Sequence, residues 1–331
     1  MIVDVHAHVF MLKAFEKART QYPIRVPHVI RDAAGRLYHL FDGQAYGPIP
    51  AQIYDTEKRI KDMKDEGVDL QILSAVPFTF FYSMNLGPSL ALAQAQNDEI
   101  SKLVNAYPER FAGLATVPLQ DVAAAVAELD RAVKDLGMKG VEIGTHVGGQ
   151  NLDWFELWPF YEKVQELDVP ILVHPESPAG SERMKKYYLT NFIGFPMETS
   201  LAASSIIFGG VLERFERLKF CFVHGGGYIP YQRGRLEHGY EVRPEPKVEI
   251  SKPPSEYVKL LYFDTTTHYQ PALEYLTATV GSEQVIMGSD YPYDMADPHP
   301  VSSVRRLKSV SQEDKEKILG GNAVRIFKIR S

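Results

Sequence analysis

The sequence of 331 residues predicts an α/β fold of the (β/α)₈ (TIM) barrel class, and three observations indicate it. Eight short apolar segments have the composition of β-strands. Segments with helical spacing separate them, as in TEKRIKDMKDEG (56–67), which opens on a capping Thr56, and DVAAAVAELDRAVKDLG (121–137). A doubly wound open sheet normally has fewer strands and a glycine-rich turn after the first, and the first segment is followed by no such turn. We therefore expect one barrel domain over residues 1–331.

The predicted strands follow one another along the whole chain. In order, they are IVDVHAH (2–8), VDLQILSAV (68–76), FAGLATV (111–117), KGVEIG (139–144), PILVH (170–174), KFCFVH (219–224), LLYFDT (260–265) and QVIMGSD (284–290). Residues 10–52 break this rhythm, because VIRDAAGRLYHLFDGQAYG (29–47) reads as short strands around Gly35 and Gly43. Long connections are often functional covers. We expect a small insertion after strand one that lies over the mouth of the barrel.

Composition excludes several classes of partner. The chain has 36 Lys and Arg against 42 Asp and Glu, a net charge of -6, so it has no basic excess with which to bind nucleic acid. Its single cysteine, Cys221, lies among apolar residues and fits a reducing compartment. No segment has the length of a membrane span, and polar residues occupy the place of a signal sequence. We expect a cytoplasmic protein without a membrane partner.

Histidines and one aspartate stand at the ends of four predicted strands. Side chains alternate along a strand, so His6 and His8 point to the same face. His174 ends strand five, His224 ends strand six and Asp290 ends strand eight. The carboxyl ends of barrel strands meet at one mouth, where enzymes of this fold carry out their chemistry. All five side chains are expected there.

A divalent metal ion explains this grouping. Imidazoles and a carboxylate gathered at one place are stabilised by a shared cation, and His6, His8, His174 and Asp290 form an N₃O ligand set that leaves a position open. Imidazole-rich ligation favours zinc over manganese. His224 then stands beside the metal as a proton carrier, since histidine titrates near working pH. We predict His224 and Asp290 as the catalytic residues.

At these residues the chain resembles the amidohydrolase superfamily, in its amidohydrolase-2 branch of aminocarboxymuconate-semialdehyde and resorcylate-type decarboxylases. RMKKYYL (183–189), HGGGYIPYQRGR (224–235), PPSEYV (253–258) and GSDYPY (288–293) carry the likeness. The resemblance implies a barrel with zinc or manganese at the positions of the predicted ligands, and an essential histidine at 224. Binuclear relatives use a carboxylated lysine at a mid-barrel strand end, and strand four ends in EIGTH instead. One metal is therefore expected.

The resemblance further implies decarboxylation of an aromatic or unsaturated carboxylic acid with hydroxy or amino substituents, in a catabolic pathway. Gly47 stands where a relative carries a substrate-binding arginine, and Glu176 stands where a relative carries an aromatic side chain. Glu176 is either a contact for a substrate amine or hydroxyl, or a solvated loop residue. Arg235 matches an arginine that relatives supply across a homodimer interface. Phe78 and the aromatic residues that follow it are candidate pocket walls or core residues.

Two other functions use the same residues. A metal-dependent hydrolase would use His224 to activate a metal-bound water, which attacks an amide, a lactone or a C–C bond of a ring-cleavage product. A non-catalytic metal-binding protein would have a closed ligand shell, and His224 would then have no chemical role. The sequence favours the decarboxylase and leaves both alternatives open.

Overall fold

The computed structural model describes residues 1–23, 26–41 and 44–329. Eight strands in it run parallel to one another and alternate with helices. These are β1 (Val3–Val9), β2 (Leu70–Ala75), β3 (Phe111–Gly113), β4 (Val141–Gly144), β5 (Ile171–His174), β6 (Phe220–Phe222), β7 (Tyr262–Asp264) and β8 (Val285–Ile286). Each lies within or next to a predicted segment, and most are shorter than predicted.

Hydrogen bonds join the strands into a closed ring. Two sheets run β1-β2-β3 and β4-β5-β6-β7-β8. A parallel bridge between Ala115 and Val141 connects β3 to β4. The Val5 amide donates to the Met287 carbonyl at 3.0 Å and connects β8 back to β1. The predicted (β/α)₈ barrel class is confirmed.

Helices surround the ring and return the chain from each strand to the next. They span Leu12–Gln21, Thr56–Glu66, Leu86–Ala106, Val122–Lys134, Trp158–Leu167, Phe195–Phe208, Val211–Arg214, Ile229–Val242, Pro254–Val258, Gln270–Val280, Pro300–Arg305, Gln312–Glu316 and Asn322–Phe327. In the described ranges, none of these helices has the length and apolarity that crossing a membrane requires.

Local capping explains where two predicted helices begin. The Asp121 side chain accepts a hydrogen bond from the Ala124 amide, as expected for an N-cap. The other helix is capped by Asp55, whose side chain accepts from the Lys58 amide. Thr56, predicted as the cap, is instead the first helical residue. Aspartate is the stronger cap because its carboxylate also interacts favourably with the helix dipole.

Apolar and polar side chains of β1 lie on opposite faces of the strand, as their alternation in the sequence predicts. Val3 and Val5 are fully buried against Ile326 and Phe327 of the last helix. The intervening polar residues point to the interior of the ring. Polar side chains that are buried inside the ring need hydrogen-bond partners there.

The segment after β1 contains more structure than the sequence predicted. A three-stranded antiparallel sheet, formed by His28–Arg31, Leu37–Phe41 and Gln44–Tyr46, corresponds to the predicted short strands. Gly43 lies outside the described residues. Helix Leu12–Gln21 was not predicted. Its apolar face holds Phe15, which stacks on Phe10 at 4.6 Å, so tertiary packing rather than capping defines it.

Asn97 joins three elements through one buried amide. Its Nδ2 donates to the Thr116 carbonyl at 2.9 Å and to Glu128 at 2.6 Å, and its Oδ1 accepts from the Thr116 amide at 2.9 Å. Alanine at this position leaves these groups unsatisfied, which costs about 2–4 kcal/mol. We expect Asn97→Ala to lower the melting temperature by several degrees. Asn105→Ala, at an exposed site of the same helix, should change the melting temperature little. An equal decrease in the two variants would contradict a stabilising role for the buried hydrogen bonds of Asn97.

Candidate metal centre

Strand β1 places two imidazoles at the centre of the ring. His6 and His8 are fully buried. The Nδ1 of His6 lies 2.7 Å from Oδ2 of Asp264, and the Nδ1 of His8 lies 3.2 Å from Oγ of Ser74, which itself donates to Glu142. These acceptors favour a proton on each Nδ1. Each Nε2 therefore presents a lone pair toward the middle of the barrel.

Three further side chains reach the same place from β5, β6 and β8. His174 is the last residue of β5, and its Nδ1 lies 2.8 Å from the Pro175 carbonyl, which can only accept. His224 and Asp290 have φ angles of 56° and 65°. Non-glycine residues rarely adopt this left-handed conformation, which is found preferentially at functional sites. Gly288 permits the backbone before Asp290 to approach His6 closely, since a Cβ at residue 288 would lie 2.8 Å from Cβ of His6.

The five predicted residues converge. Asp290 Oδ1 lies 3.3 Å from His6 Nε2 and 3.2 Å from His8 Nε2, and Asp290 Oδ2 lies 3.5 Å from His224 Nε2. The rings of His6, His8 and His174 have centroids 5.0–5.2 Å apart. His6, His174, His224 and Asp290 offer ligand atoms within 4.8 Å of one another, and His8 adjoins this set.

The donor set fits a divalent cation. The Nε2 atoms of His6, His8 and His174 and the Oδ1 atom of Asp290 are buried, and none has a hydrogen-bond partner in the described ranges. Each unsatisfied buried polar atom costs about 1–3 kcal/mol. A cation at the centre would coordinate all four atoms, since imidazole nitrogen and carboxylate oxygen are both ligand types that Zn²⁺ binds in proteins.

The electrostatics of the cluster keep two of its imidazoles neutral and favour a positive charge on the third. Burial lowers the pKa of His8 to about 4, and burial with the neighbouring imidazoles lowers the pKa of His174 well below its usual value. Burial would also lower the pKa of His6, but Asp290 and Asp264 outweigh it and raise that pKa to about 9. The imidazoles of His6, His224 and His8 outweigh burial at Asp290 and hold its pKa well below its usual range. A cation bound at Nε2 of His6 would supply this positive charge instead of a proton.

Asp264, Ser74, Glu142 and Tyr293 belong to the site but were not identified from the sequence. Asp264 ends β7 and lies against His6, so the strand-end rule that identified His174 could have found it. Ser74 and Glu142 face the interior from β2 and β4. Tyr293 lies three residues beyond Asp290, with its ring centroid 5.3 Å from that of His8.

Two cavities flank His224. A cavity of about 290 Å³ contains Phe78 and Glu176 in its walls, as well as His174, Tyr188, Phe195, Asp290 and Tyr293. A second cavity, of about 580 Å³, also has His224 in its wall, together with Tyr228, Tyr231, Tyr269 and Tyr275. Of the other candidate walls, Phe80 and Tyr82 are buried in the core, at 3% and 6% exposed, and Phe81 is partly buried against a second core cluster. Arg235 is exposed on helix Ile229–Val242 and lines neither cavity.

A family model described as Amidohydrolase (Amidohydro_2) matches residues 3–329. The chain belongs to the amidohydrolase family. Within it, a relative from Dictyostelium discoideum named 2-amino-3-carboxymuconate-6-semialdehyde decarboxylase is 37% identical over 97% of this chain and 90% of its own. A 2-keto-4-carboxy-3-hexenedioate hydratase from Sphingobium sp. is 28% identical over 99% of this chain and 96% of its own.

Solved structures of the amidohydrolase family share the fold. The 5-carboxyvanillate decarboxylase from Sphingomonas paucimobilis has a TM-score of 0.84 and 26% identity, with 99% of each chain covered. A dihydroxybenzoic acid decarboxylase from Polaromonas sp. JS666, solved with bound manganese and the inhibitor 2-nitroresorcinol, has a TM-score of 0.81 and 23% identity over 100% of this chain and 98% of that one. At 23% identity, the similarity to the Polaromonas structure concerns the fold alone.

Proposed function

We propose that this protein is a metal-dependent decarboxylase of an aromatic or unsaturated carboxylic acid that carries a hydroxy or amino substituent. The observation that carries the proposal is the buried cluster of histidines and Asp290, which opens into an aromatic-lined cavity. Membership of the amidohydrolase family and the decarboxylase names of similar proteins support it.

One divalent cation is proposed at Nε2 of His6, His8 and His174 and at the carboxylate of Asp290. When bound, such a cation acts as a Lewis acid on an oxygen of the substrate. Three imidazoles favour zinc, and the manganese in the Polaromonas structure makes it the second candidate. The donor nitrogens are fixed by their Nδ1 partners, so the site is preorganised.

His224 is proposed to move the proton. It lines both cavities, and its Nε2 lies 3.5 Å from Oδ2 of Asp290, so it lies beside both the proposed cation site and the substrate. His224 gives its proton to the ring carbon that bears the carboxylate. The bond between that carbon and the carboxylate then breaks, CO₂ leaves, and the electron pair restores the conjugated system. Solvent returns the proton to His224.

Aromatic and carboxylate side chains are proposed to select the substrate. Phe78 supplies a flat apolar wall and is itself covered by His39 of the insertion, whose ring stacks on it at 4.3 Å. His39 is itself only 9% exposed. This contact supports the placement of segment 10–52 at the barrel mouth. Glu176 lines the same cavity and is suited to accept a hydrogen bond from a substrate amine or hydroxyl.

The protein is further proposed to act as a homodimer in the cytoplasm. Arg235 is exposed on its helix and is proposed to reach the partner's cavity, where it would contact a substrate carboxylate. The net charge of -6 and the single buried cysteine are consistent with a reducing compartment.

The proposed reaction is tested by incubating the metal-loaded protein with ortho-hydroxy and ortho-amino aromatic acids in D₂O. Decarboxylation releases CO₂ and places one deuterium on the carbon that lost it. The second candidate is addition of water or hydrolysis, which the same cluster supports and which the hydratase relative favours. Either of those would give a hydrated or cleaved product without gas. A panel that yields only such products would overturn the decarboxylase proposal.

Tyr293 provides a test of substrate contact. Its hydroxyl is buried and has no hydrogen-bond partner in the part of the chain that the structure describes. Burial and the nearby Asp290 raise its pKa well above the usual value, so the phenol stays protonated and can donate to a substrate oxygen. We expect Tyr293→Phe to raise KM about tenfold, because a hydrogen bond to a charged acceptor contributes about 1.5–3 kcal/mol. The melting temperature should not fall.

The matched control for Tyr293 is Tyr291→Phe. The Tyr291 hydroxyl donates to Asp62 at 2.8 Å, and Tyr291 does not line the cavity that holds Phe78. This variant should lose some stability and keep its KM. The proposed contact would be wrong if Tyr293→Phe left KM unchanged.

A further inference from the structure

Four hydrogen-bond donors converge on the carboxylate of Asp264, which is fully buried at the end of β7. Its Oδ2 lies 2.7 Å from His6 Nδ1 and accepts from Thr266 Oγ1 at 3.0 Å. Its Oδ1 accepts from the Gly225 amide at 2.7 Å and from the Thr266 amide at 3.1 Å. One side chain thus contacts both a proposed metal ligand and the backbone next to His224.

Only an ionised carboxylate satisfies this arrangement. A carboxylate is an acceptor with two oxygens, whereas the amide of asparagine presents one acceptor and one donor. With asparagine at 264, either His6 Nδ1 or the two backbone amides would meet an NH₂ group. If the NH₂ group faced His6, Nδ1 would have to accept, and the proton would move to the Nε2 that faces the cluster.

The turn that follows β6 depends on this carboxylate. His224 and the three glycines that follow it all have positive φ, at 56°, 61°, 76° and 62°. Glycine has no steric preference for such a conformation over others, so the turn needs external contacts to fix it. Within the turn, Gly226 and Gly227 donate to Val223 and His224 carbonyls at 3.1 Å. The Gly225 amide is held instead by Asp264.

We propose that Asp264 is a positioning residue that couples the cation at His6 to the placement of His224. A cation on His6 Nε2 strengthens the Nδ1–H bond to Asp264, because coordination makes the imidazole a better donor. A fixed Asp264 in turn holds the Gly225 amide and orients His224 toward the substrate. The coupling rests on the proposed function, since it needs the cation and the proton carrier named there.

Hydrogen exchange of the turn tests the coupling directly. Amide exchange of residues 224–227 is measured by mass spectrometry in full-length protein, first stripped with a chelator and then loaded with Zn²⁺ or Mn²⁺. We expect the metal to slow exchange of this turn by at least about tenfold in the wild-type protein. In Asp264→Asn, metal affinity should fall about 10–100-fold, and at saturating metal the exchange of the turn should no longer respond.

Two variants test whether the effect of metal binding reaches the turn at residues 224–227 through Asp264 or through another residue. His224→Asn keeps the Gly225 amide and Asp264, so its turn should still respond to metal; loss of the response would mean that the imidazole of residue 224 transmits it. Thr266→Val removes one donor to Asp264 and leaves the contacts with His6 and Gly225. Its metal affinity should stay within a few-fold of the wild-type value.

The outcomes distinguish the inference from the proposed function. If the wild-type protein binds metal and decarboxylates, but its turn exchanges equally with and without metal, the coupling is wrong and the function stands. The coupling is also wrong if Asp264→Asn binds metal as tightly as the wild-type protein and its turn still responds. A wild-type protein that binds neither metal would contradict both. If the Asp264 variant does not fold, hydrogen exchange of the wild-type turn with and without metal still tests the coupling.

Discussion

Replacing His174 by alanine should remove most of the bound metal and lower decarboxylase activity at least about 100-fold. His174 is the ligand best suited to this test, because its Nδ1 contacts only the neighbouring Pro175 carbonyl within the described chain. Its loss therefore disturbs little besides the cation. Metal content per chain, measured by plasma mass spectrometry after gel filtration, and kcat/KM on the same preparation are the readouts.

His146→Ala is the control for that variant. His146 also follows a barrel strand, but its Nε2 lies 3.1 Å from the Ser177 carbonyl, and it is not among the clustered ligands. It should retain metal and most activity. Equal metal content in the two variants would remove His174 from the proposed ligand set.

His224→Asn should lower kcat at least about 100-fold and leave the metal in place, because general acid catalysis contributes about 10²–10⁴-fold. Asparagine keeps the polarity of the side chain and cannot carry a proton. Metal analysis and the melting temperature should match those of the wild-type protein.

The outcome for His224 also separates the two enzyme functions from the non-catalytic metal-binding protein, in which His224 has no chemical role. His238→Ala, an exposed histidine whose side chain is 73% accessible, is the control and should be neutral. If His224→Asn kept full activity, the proton would come from elsewhere. If it lost metal together with activity, His224 would be a ligand rather than a proton carrier.

The barrel and its strand ends could be predicted from the sequence because both depend on local patterns. Apolar runs alternating with helical spacing predicted the eight strands, and their ends located His174, His224 and Asp290. Alternation along β1 predicted that His6 and His8 share a face, and their rings lie 5.0 Å apart. The decisive signals thus lay within single strands.

Other parts depend on contacts between residues far apart in the chain. Asp264 could have been located as a strand end, but its contact with His6, 258 residues away, follows from β7 lying near β1 in the closed ring. Tyr293 faces the cavity because the chain turns after Asp290, where φ is 65°. Helix Leu12–Gln21 forms by packing against other elements, and its first residue has no side-chain cap. Patterns along the sequence carry little information about such contacts.

The central claim is that one cation is held by His6, His8, His174 and Asp290. Anomalous diffraction at the zinc and manganese absorption edges, from crystals of protein purified without added metal, tests it most directly. The account predicts a single peak about 2.0–2.2 Å from the three Nε2 atoms and from a carboxylate oxygen of Asp290. A peak coordinated by other side chains, or a fully occupied site from which any of these four residues is absent, would contradict it.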